Sequence, residues 1–591
     1  MLLKKNVDKP LKIEDSLLSD SNMIFSKNIA TSMNTRKTFI NNNVCVIGGS
    51  GSGKTRFFVK PNILQMYCNY IVVDPKGSVC EETGKAFVTY DEKDKYDRKI
   101  LNLVQMSKSM NYNPFHYFQG PNDVFKFINN LVANTNKENA SKGGDDFFEK
   151  AEIAYMTAVI FYIMAVGKPE ERTFNTVMEL LDYAEASEED ENAKSVLDIM
   201  FEELEEHNQR LLKYEEKVNK YSYSFLAVKQ YRLYKKAAGK TAKSILISVG
   251  VRLAIFNLPE LQELLCKDEL ELDCIGRPKV KDEKHPEDLS KDLTCEEWMK
   301  KYNKTIDDYE SLPQSRLRKT VLFVIVSDSD STFSFLSSIL LQQLYDMLYR
   351  CADERKDHRL PIHTKFMNDE FANCGKQPDF EIKIATMRSR EISAMIILQN
   401  ITQLKGLYKD VWETIFGNCD STIFLGGKEY ESLEYLSKMI GNETVDHKSV
   451  SETKGSNWSY QVSNQLIQRA LLSPDEIGRL PVNECLVHIR GRHIFRDKKF
   501  DITQHKRVDL TTDASDKAKA KENFFDISNY LEDYRKQRYV ITPEEEIVQG
   551  EIGTERMNAD RGEYMTFTNE LDRIMNIPLP NDESKGFMDL H

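Results

Sequence analysis

Residues 43–55 read Asn43-Val-Cys-Val-Ile-Gly48-Gly49-Ser50-Gly51-Ser52-Gly53-Lys54-Thr55. A β-branched run stops at a glycine-rich loop, the loop fits G-x-x-x-x-G-K-[ST], and a helix is predicted to begin at its end. Glycines allow successive backbone N–H groups to converge on phosphate oxygens, and the start of the helix adds partial positive charge. The Lys54 ammonium reaches β- and γ-phosphates, and the Thr55 hydroxyl is a Mg²⁺ ligand. Gly48, Gly49, Ser50, Gly51, Ser52, Gly53, Lys54 and Thr55 are therefore expected to bind ATP with Mg²⁺. The strand and helix on either side distinguish this loop from a merely flexible Gly/Ser turn. A second Gly-Lys-Thr, at 239–241, lacks both the glycine five positions earlier and the strand, and is not read as a phosphate loop.

Beyond the loop, Tyr70–Asp74 (YIVVD) closes a β–loop–α–β unit. Asp74 imitates the ribose-binding acid of a dinucleotide fold, but the loop is not G-x-G-x-x-G, so ATP or GTP is favoured over NAD. Further strands are expected at Thr320–Val326, His363–Asp369, Ser393–Leu398, Ser421–Leu425 and Glu484–Ile489, separated mostly by helix-length segments. That alternation is the pattern of an α/β fold with a mostly parallel sheet and helices on both faces. The stretch 126–315 shows helical patterning without a convincing strand, and reads as an inserted all-α domain that splits the nucleotide-binding domain into 43–125 and 316–510. Within it, Asp268–Asp308 is charged, carries Pro278 and Pro286, and reads as a surface excursion. Residues 1–42 form a lead-in, and 511–591 a polar, partly helical, weakly packed tail.

Composition narrows the class. With 81 Lys plus Arg against 93 Asp plus Glu, the net charge of −12 over 591 residues excludes a surface coated in nucleic-acid-binding cations, so any such contact is local. A hydrophobic share of 40% and a charged share of 29% exclude the disordered and polytopic membrane classes. Charge breaks every apolar run in the first twenty residues, as no secretory signal allows. The longest charge-free apolar stretch, Ile153–Gly167, has 15 residues where a span needs about 20, and reads as a buried helix. Ten cysteines without a CxxC pair or zinc spacing read as reduced core thiols.

A phosphate-loop ATPase needs an acid at the end of another strand for Mg²⁺ and a carboxylate beside it to orient the attacking water. Asp369 and Glu370, after HTKFMN, supply such a pair, although Lys365 and Asn368 interrupt what is normally an aliphatic strand. Eighteen residues beyond Glu370 lies Arg388, and after the next apolar run comes Gln399. An arginine can stabilise charge on a transferring phosphoryl group and a glutamine can orient water; both residue types are also ordinary surface groups. Lys217–Arg252 holds nine Lys or Arg and no Asp or Glu, interleaved with Tyr221, Tyr223, Phe225, Tyr231 and Tyr234. Cations with aromatics suit a nucleic-acid strand. The competing reading pairs this basic face with the acidic helices of Glu185–Glu206.

Further blocks follow the loop in order: DPKG at 74–77, YNPF at 112–115, DSDSTFSFL at 328–336, NDEFANCGKQPDFE at 368–381, ATMRSREISAMIILQN at 385–400 and GNCDSTIFLGG at 417–427. With them the chain resembles the type IV secretion coupling proteins of the TraG type, from about residue 36 to about residue 505. The resemblance implies a RecA-like nucleotide-binding domain with an inserted all-α domain, assembled as a homo-hexamer. It also implies hydrolysis of ATP coupled to delivery of a relaxase bound to single-stranded DNA, or of protein substrates, into a secretion channel. By position it makes Lys54 and Thr55 the P-loop pair, Asp369 and Glu370 the second acidic motif, Arg388 an inter-subunit arginine and Gln399 the glutamine motif.

Many members begin with transmembrane helices, whereas this sequence reaches its phosphate loop by residue 48 without an apolar span. The expectation is a cytoplasmic chain held at the inner face of the membrane by a separate membrane subunit of the channel, or one that has lost an anchor; in isolation a monomer is the alternative to the hexamer. Two competing functions share the motifs: an FtsK-like intracellular DNA pump, and an ATP-gated docking platform with little translocation.

Overall fold

The computed structural model describes residues 19, 21–89, 91, 95–135, 145–184, 194–214, 218–237, 240–453 and 459–538. Lys217, Gly239, the acidic stretch 185–193 and the tail beyond Arg538 lie outside the described residues. Two compact units emerge: one takes the chain up to Val104 and Glu271–Ile527, the other Gln105–Leu270 and the chain from Ser528.

The first unit is built on nine strands. In chain order the strands of the molecule are β1 (Asn22–Ile24), β2 (Ala30–Ser32), β3 (Val44–Ile47), β4 (Asn69–Pro75), β5 (Asp97–Asn102), β6 (Thr320–Val326), β7 (Thr364–Asn368), β8 (Ile392–Leu398), β9 (Ser421–Phe424), β10 (Asn442–Thr453), β11 (Ser459–Ala470), β12 (Glu484–Ile489) and β13 (Phe495–Lys498). The main sheet runs β13-β12-β9-β3-β8-β7-β4-β6-β5. Seven neighbours from β9 to β5 are parallel, while β12 is antiparallel to β9, and β13 to β12. All residues of β3, β6, β7, β8 and β9 are buried, as expected of parallel strands covered on both faces. The loop after β3 and the acid pair after β7 lie at the same edge, with β8 between their strands. This interior order is RecA-like.

Three features depart from the sequence reading. Asp97–Asn102, with the cations Arg98 and Lys99, is the edge strand β5; the Lys99 ammonium is buried and paired with Glu271 at 2.7 Å. Residues 271–318 belong to the sheet unit and are no loose excursion: Val280, Cys295, Trp298, Tyr309, Leu317 and Ile362 form a small core. Beside it the Arg318 guanidinium meets Asp292 at 2.6 Å with both side chains 1% exposed, and burying a charge so fully demands such a partner. The described part of the 511–591 segment is also packed, since Thr511 is fully buried and Asp513 receives Lys60 at 2.7 Å.

The lead-in is anchored too. The Asn62 side chain accepts from Ile24 N–H at 2.9 Å and donates to Ile24 C=O at 2.8 Å, tying the β1–β2 hairpin to the helix after the phosphate loop. β10 and β11 form a separate antiparallel ribbon of twelve residue pairs.

The second unit is helical throughout its described residues, with helices at Pro121–Thr135, Asp145–Val166, Phe174–Asp182, Val196–Tyr214, Tyr223–Tyr234, Lys240–Leu253 and Pro259–Leu265. It begins and ends earlier than the expected 126–315. The stretch from Ser528 returns to it, where Arg535 pairs with Glu269 at 3.1 Å. Among the described residues no single helix is long and apolar enough to cross a membrane. Nine cysteines are buried and Cys266 is exposed, all as free thiols.

Candidate nucleotide site

The phosphate loop folds as its glycines require. Gly51 and Gly53 sit at φ 74° and 83°, a region costly for residues with a Cβ. The helical turn after it starts as a π-turn over Thr55–Val59. Lys54 lies 8% exposed, donating to Gly48 C=O at 2.9 Å with its ammonium 3.4 Å from Glu370 Oε1.

From the end of β7 the acid pair arrives at the same place. Thr55 Oγ1 donates to Asp369 Oδ2 at 2.6 Å, while Asp369 Oδ1 is buried without a partner. Burial pushes the Asp369 carboxyl up to about 6, against the opposing effects of the Thr55 hydrogen bond and Lys54. A half-satisfied buried carboxylate beside a threonine hydroxyl is a donor set of hard oxygens that suits Mg²⁺, which ordinarily takes one or two protein ligands plus waters and phosphate oxygens. Among the described residues no cluster of three His, Cys, Asp or Glu offers a fuller protein cage.

Glu370 has a left-handed backbone, φ 61°, an uncommon conformation for a residue with a Cβ. Gln399, just past the end of β8, donates through Nε2 to both Glu370 carboxylate oxygens, at 3.1 and 3.0 Å. Lys54, Thr55, Asp369, Glu370 and Gln399 thus converge, from three strand ends at one edge of the sheet.

Arg388 does not join them. It lies in the turn Met387–Arg390, which precedes β8, and donates to Thr35 C=O at 3.1 Å. The seven residues of β8 separate it from the Gln399 end, roughly 20 Å of strand. Asp74 is not a ribose acid either. It is fully buried, accepts from Cys80 N–H at 2.8 Å, leaves Oδ1 unpartnered, and burial pushes its carboxyl up to about 7.

Two family models match this chain, one described as "Type IV secretory system Conjugative DNA transfer" over residues 7–281, the other as "TraM recognition site of TraD and TraG" over residues 363–482. Over these two stretches the chain is similar to the type IV secretion coupling proteins. Protein VirD4 of Rhizobium radiobacter is 28% identical over 179 residues, 30% of this chain and 26% of that protein; VirD4 of Agrobacterium fabrum is 28% identical over 178 residues. The matched region thus spans about a quarter of the length of these relatives. Among solved structures, the unbound conjugative coupling protein TrwB lacking its N-terminal segment has a TM-score of 0.48 at 14% identity, covering 81% of this chain and 88% of that one. TrwB in complex with ADP and Mg²⁺ gives 0.48 at 13% identity, covering 83% and 89%.

The sequence reading missed Lys499, which follows β13. Its buried ammonium donates to Ser52 C=O of the phosphate loop at 2.8 Å and lies 5.4 Å from the Phe57 ring centroid. Burial lowers its pKa below the ordinary lysine value. Lys60, also buried, pairs with Asp513 and Glu82. No sequence signal marks Lys499, because strand pairing 447 residues downstream brings it to the loop.

The described part of the basic segment is largely a core element. Tyr231 stacks on Phe201 at 3.9 Å and 2° between ring planes, and Tyr155 meets Tyr234 at 4.9 Å. Lys235 pairs with Asp198 at 2.9 Å and Arg232 with Glu205. Burial opposes the Asp198 charge, yet donors from Lys235, Ser195 and Tyr231 hold its pKa below the usual carboxylate range. Lys220, Lys229 and Lys236 line an open groove of about 630 Å³ with Leu212, Phe225 and Leu233.

Proposed function

We propose that this chain is an ATP-hydrolysing coupling protein of conjugative DNA transfer. It recruits relaxase-bound single-stranded DNA, or protein substrates, to a type IV secretion channel. The observation that carries the reading is the convergence on one sheet edge of a lysine, a Thr–Asp oxygen pair and a carboxylate held by a glutamine. In this reading the phosphate loop N–H groups and Lys54 bind the phosphates of ATP. Thr55 and Asp369 hold Mg²⁺, which supplies charge neutralisation at the phosphate oxygens. Glu370, 3.4 Å from the Lys54 ammonium and aligned by Gln399, orients the attacking water and takes up its proton.

Arg388 faces away from its own phosphate loop, and we assign it to the site of a neighbouring subunit in a hexameric ring. The ring works at the inner face of the membrane on a membrane subunit of the channel. Mixing Arg388→Ala with Lys54→Ala protein should then restore hydrolysis, whereas a rate per subunit independent of concentration contradicts the assignment.

The deciding experiment is hydrolysis by the purified chain with and without single-stranded and duplex DNA. Stimulation at least several-fold by DNA is expected of a motor. Hydrolysis without stimulation points to a docking platform, and no hydrolysis at all sinks the ATPase reading.

A further inference from the structure

The loop contains a peptide unit that its own sequence leaves free to turn. Rotating the Ser52–Gly53 peptide changes ψ of Ser52 and φ of Gly53, and glycine accepts either sign of φ at little cost, so its present 83° has an alternative. No cis peptide occurs among the described residues, and in a trans unit the C=O and N–H point in opposite directions. Whatever holds the Ser52 carbonyl on one side therefore directs the Gly53 N–H to the other. The Lys499 ammonium holds it, at 2.8 Å. Its aliphatic stem is anchored as well: Lys499 N–H donates to Asn483 C=O at 2.9 Å and the side chain lies over Phe57. Phe57 also crowds Gly53, where an added Cβ would lie 2.4 Å from the ring.

We propose that Lys499 is a positioning residue of the nucleotide site, fixing the Ser52–Gly53 peptide so that the Gly53 N–H serves the phosphates rather than the Ser52 carbonyl opposing them. This rests on the nucleotide reading above. A loop carbonyl turned toward phosphate repels it, and an amide turned toward it is one of the donors that such loops use. The sheet edge built by β13 would thereby set the affinity of a loop 447 residues away in sequence.

The test is titration of the full chain with a fluorescent ADP analogue and Mg²⁺, alongside thermal unfolding without nucleotide. Lys499→Met keeps the stem over Phe57 and removes the donor. It should raise Kd roughly tenfold, the loss of one hydrogen bond from a charged group. The melting temperature should stay unchanged, and KM for ATP should rise with kcat within about twofold. Lys499→Arg should restore binding to within about threefold. Wild-type affinity in Lys499→Met, or a loss that merely tracks a lowered melting temperature, overturns the proposal. Should Lys499→Met fail to fold, Lys499→Gln and Lys499→Arg carry the same comparison: the weaker donor must bind ADP less tightly than arginine, and equal affinities overturn it. A wild type that does not bind ADP overturns the nucleotide reading itself, which separates the two failures.

Discussion

Lysines meet two different fates in the two units. At the phosphate loop Lys54 and Lys499 are buried and each is held by a loop carbonyl, Gly48 for one and Ser52 for the other. In the helical unit Arg232 and Lys235 are exposed at their tips and paired with carboxylates, Glu205 and Asp198, while the aromatics between them fill the core. Carbonyl oxygens place a cation without cancelling its charge, as at Lys499, and Lys54 has its carboxylate, Glu370, only at 3.4 Å; a carboxylate at full hydrogen-bond distance, as Asp198 is to Lys235, largely neutralises it. Local density of basic residues is therefore a poor guide to anion binding, and what the cation rests on is a better one.

The largest effect should come from breaking the first case. Lys54→Ala removes a cation held by the Gly48 carbonyl and Glu370, so hydrolysis should fall at least about a thousandfold while the melting temperature barely moves. An unchanged kcat would show that the charge serves structure. Next, Glu370→Gln leaves Thr55 and Asp369 in place, so the variant should hold ATP and cleave it about 10²–10³ times more slowly. Lost nucleotide binding in an equilibrium titration would mean that Asp369 and Glu370 exchange roles.

Asp74 sharpens the contrast from the anionic side, as a buried carboxyl that makes no ion pair among the described residues. Its folded pKa of about 7 lies above the ordinary value near 4, so the folded state retains a proton that the unfolded chain releases. Stability from this group is full below pH ~4 and is lost as pH rises toward ~7, by at most about 3–4 kcal/mol. Melting curves of Asp74→Asn should lack that fall; a parallel decline in the variant would assign it to other groups.

The smallest effects belong to the helical unit. Lys235→Gln should cost about 0.5–1 kcal/mol, because the pair is half exposed and Asp198 keeps its Ser195 and Tyr231 donors. The double substitution Lys229→Gln, Lys236→Gln should leave the melting temperature unchanged. It should shallow the log–log salt dependence of single-strand binding by roughly 0.7 for each phosphate that is no longer neutralised. If the slope stays and stability drops, the groove they line is structural.

Legibility followed the same division. The strand–loop–helix of 43–55 and the Asp369–Glu370 pair are contiguous, and chemistry written in consecutive residues is readable without a fold. Gln399 is legible through its spacing, and its contact with Glu370 depends only on two nearby strands having ends at one edge. β5 is hidden because Arg98 and Lys99 break the apolar run by which a strand is read, and the ribbon β10–β11 because its strands are mostly polar. The aromatics of 221–234 resemble a stacking platform since periodicity does not say whether a tyrosine faces solvent or a phenylalanine such as Phe201.

One strand ties two of these side chains to a common motion. β8 carries Arg388 before its first residue and Gln399 after its last, and is bonded on both sides, to β3 and to β7. A strand so clamped cannot slip by one residue without turning every buried side chain to the opposite face. Arg388 and Gln399 therefore behave as the two ends of a rigid rod. If the arginine end serves a neighbouring subunit, as proposed, any tilt of β8 at the chain's own Gln399 is carried to that arginine undiminished.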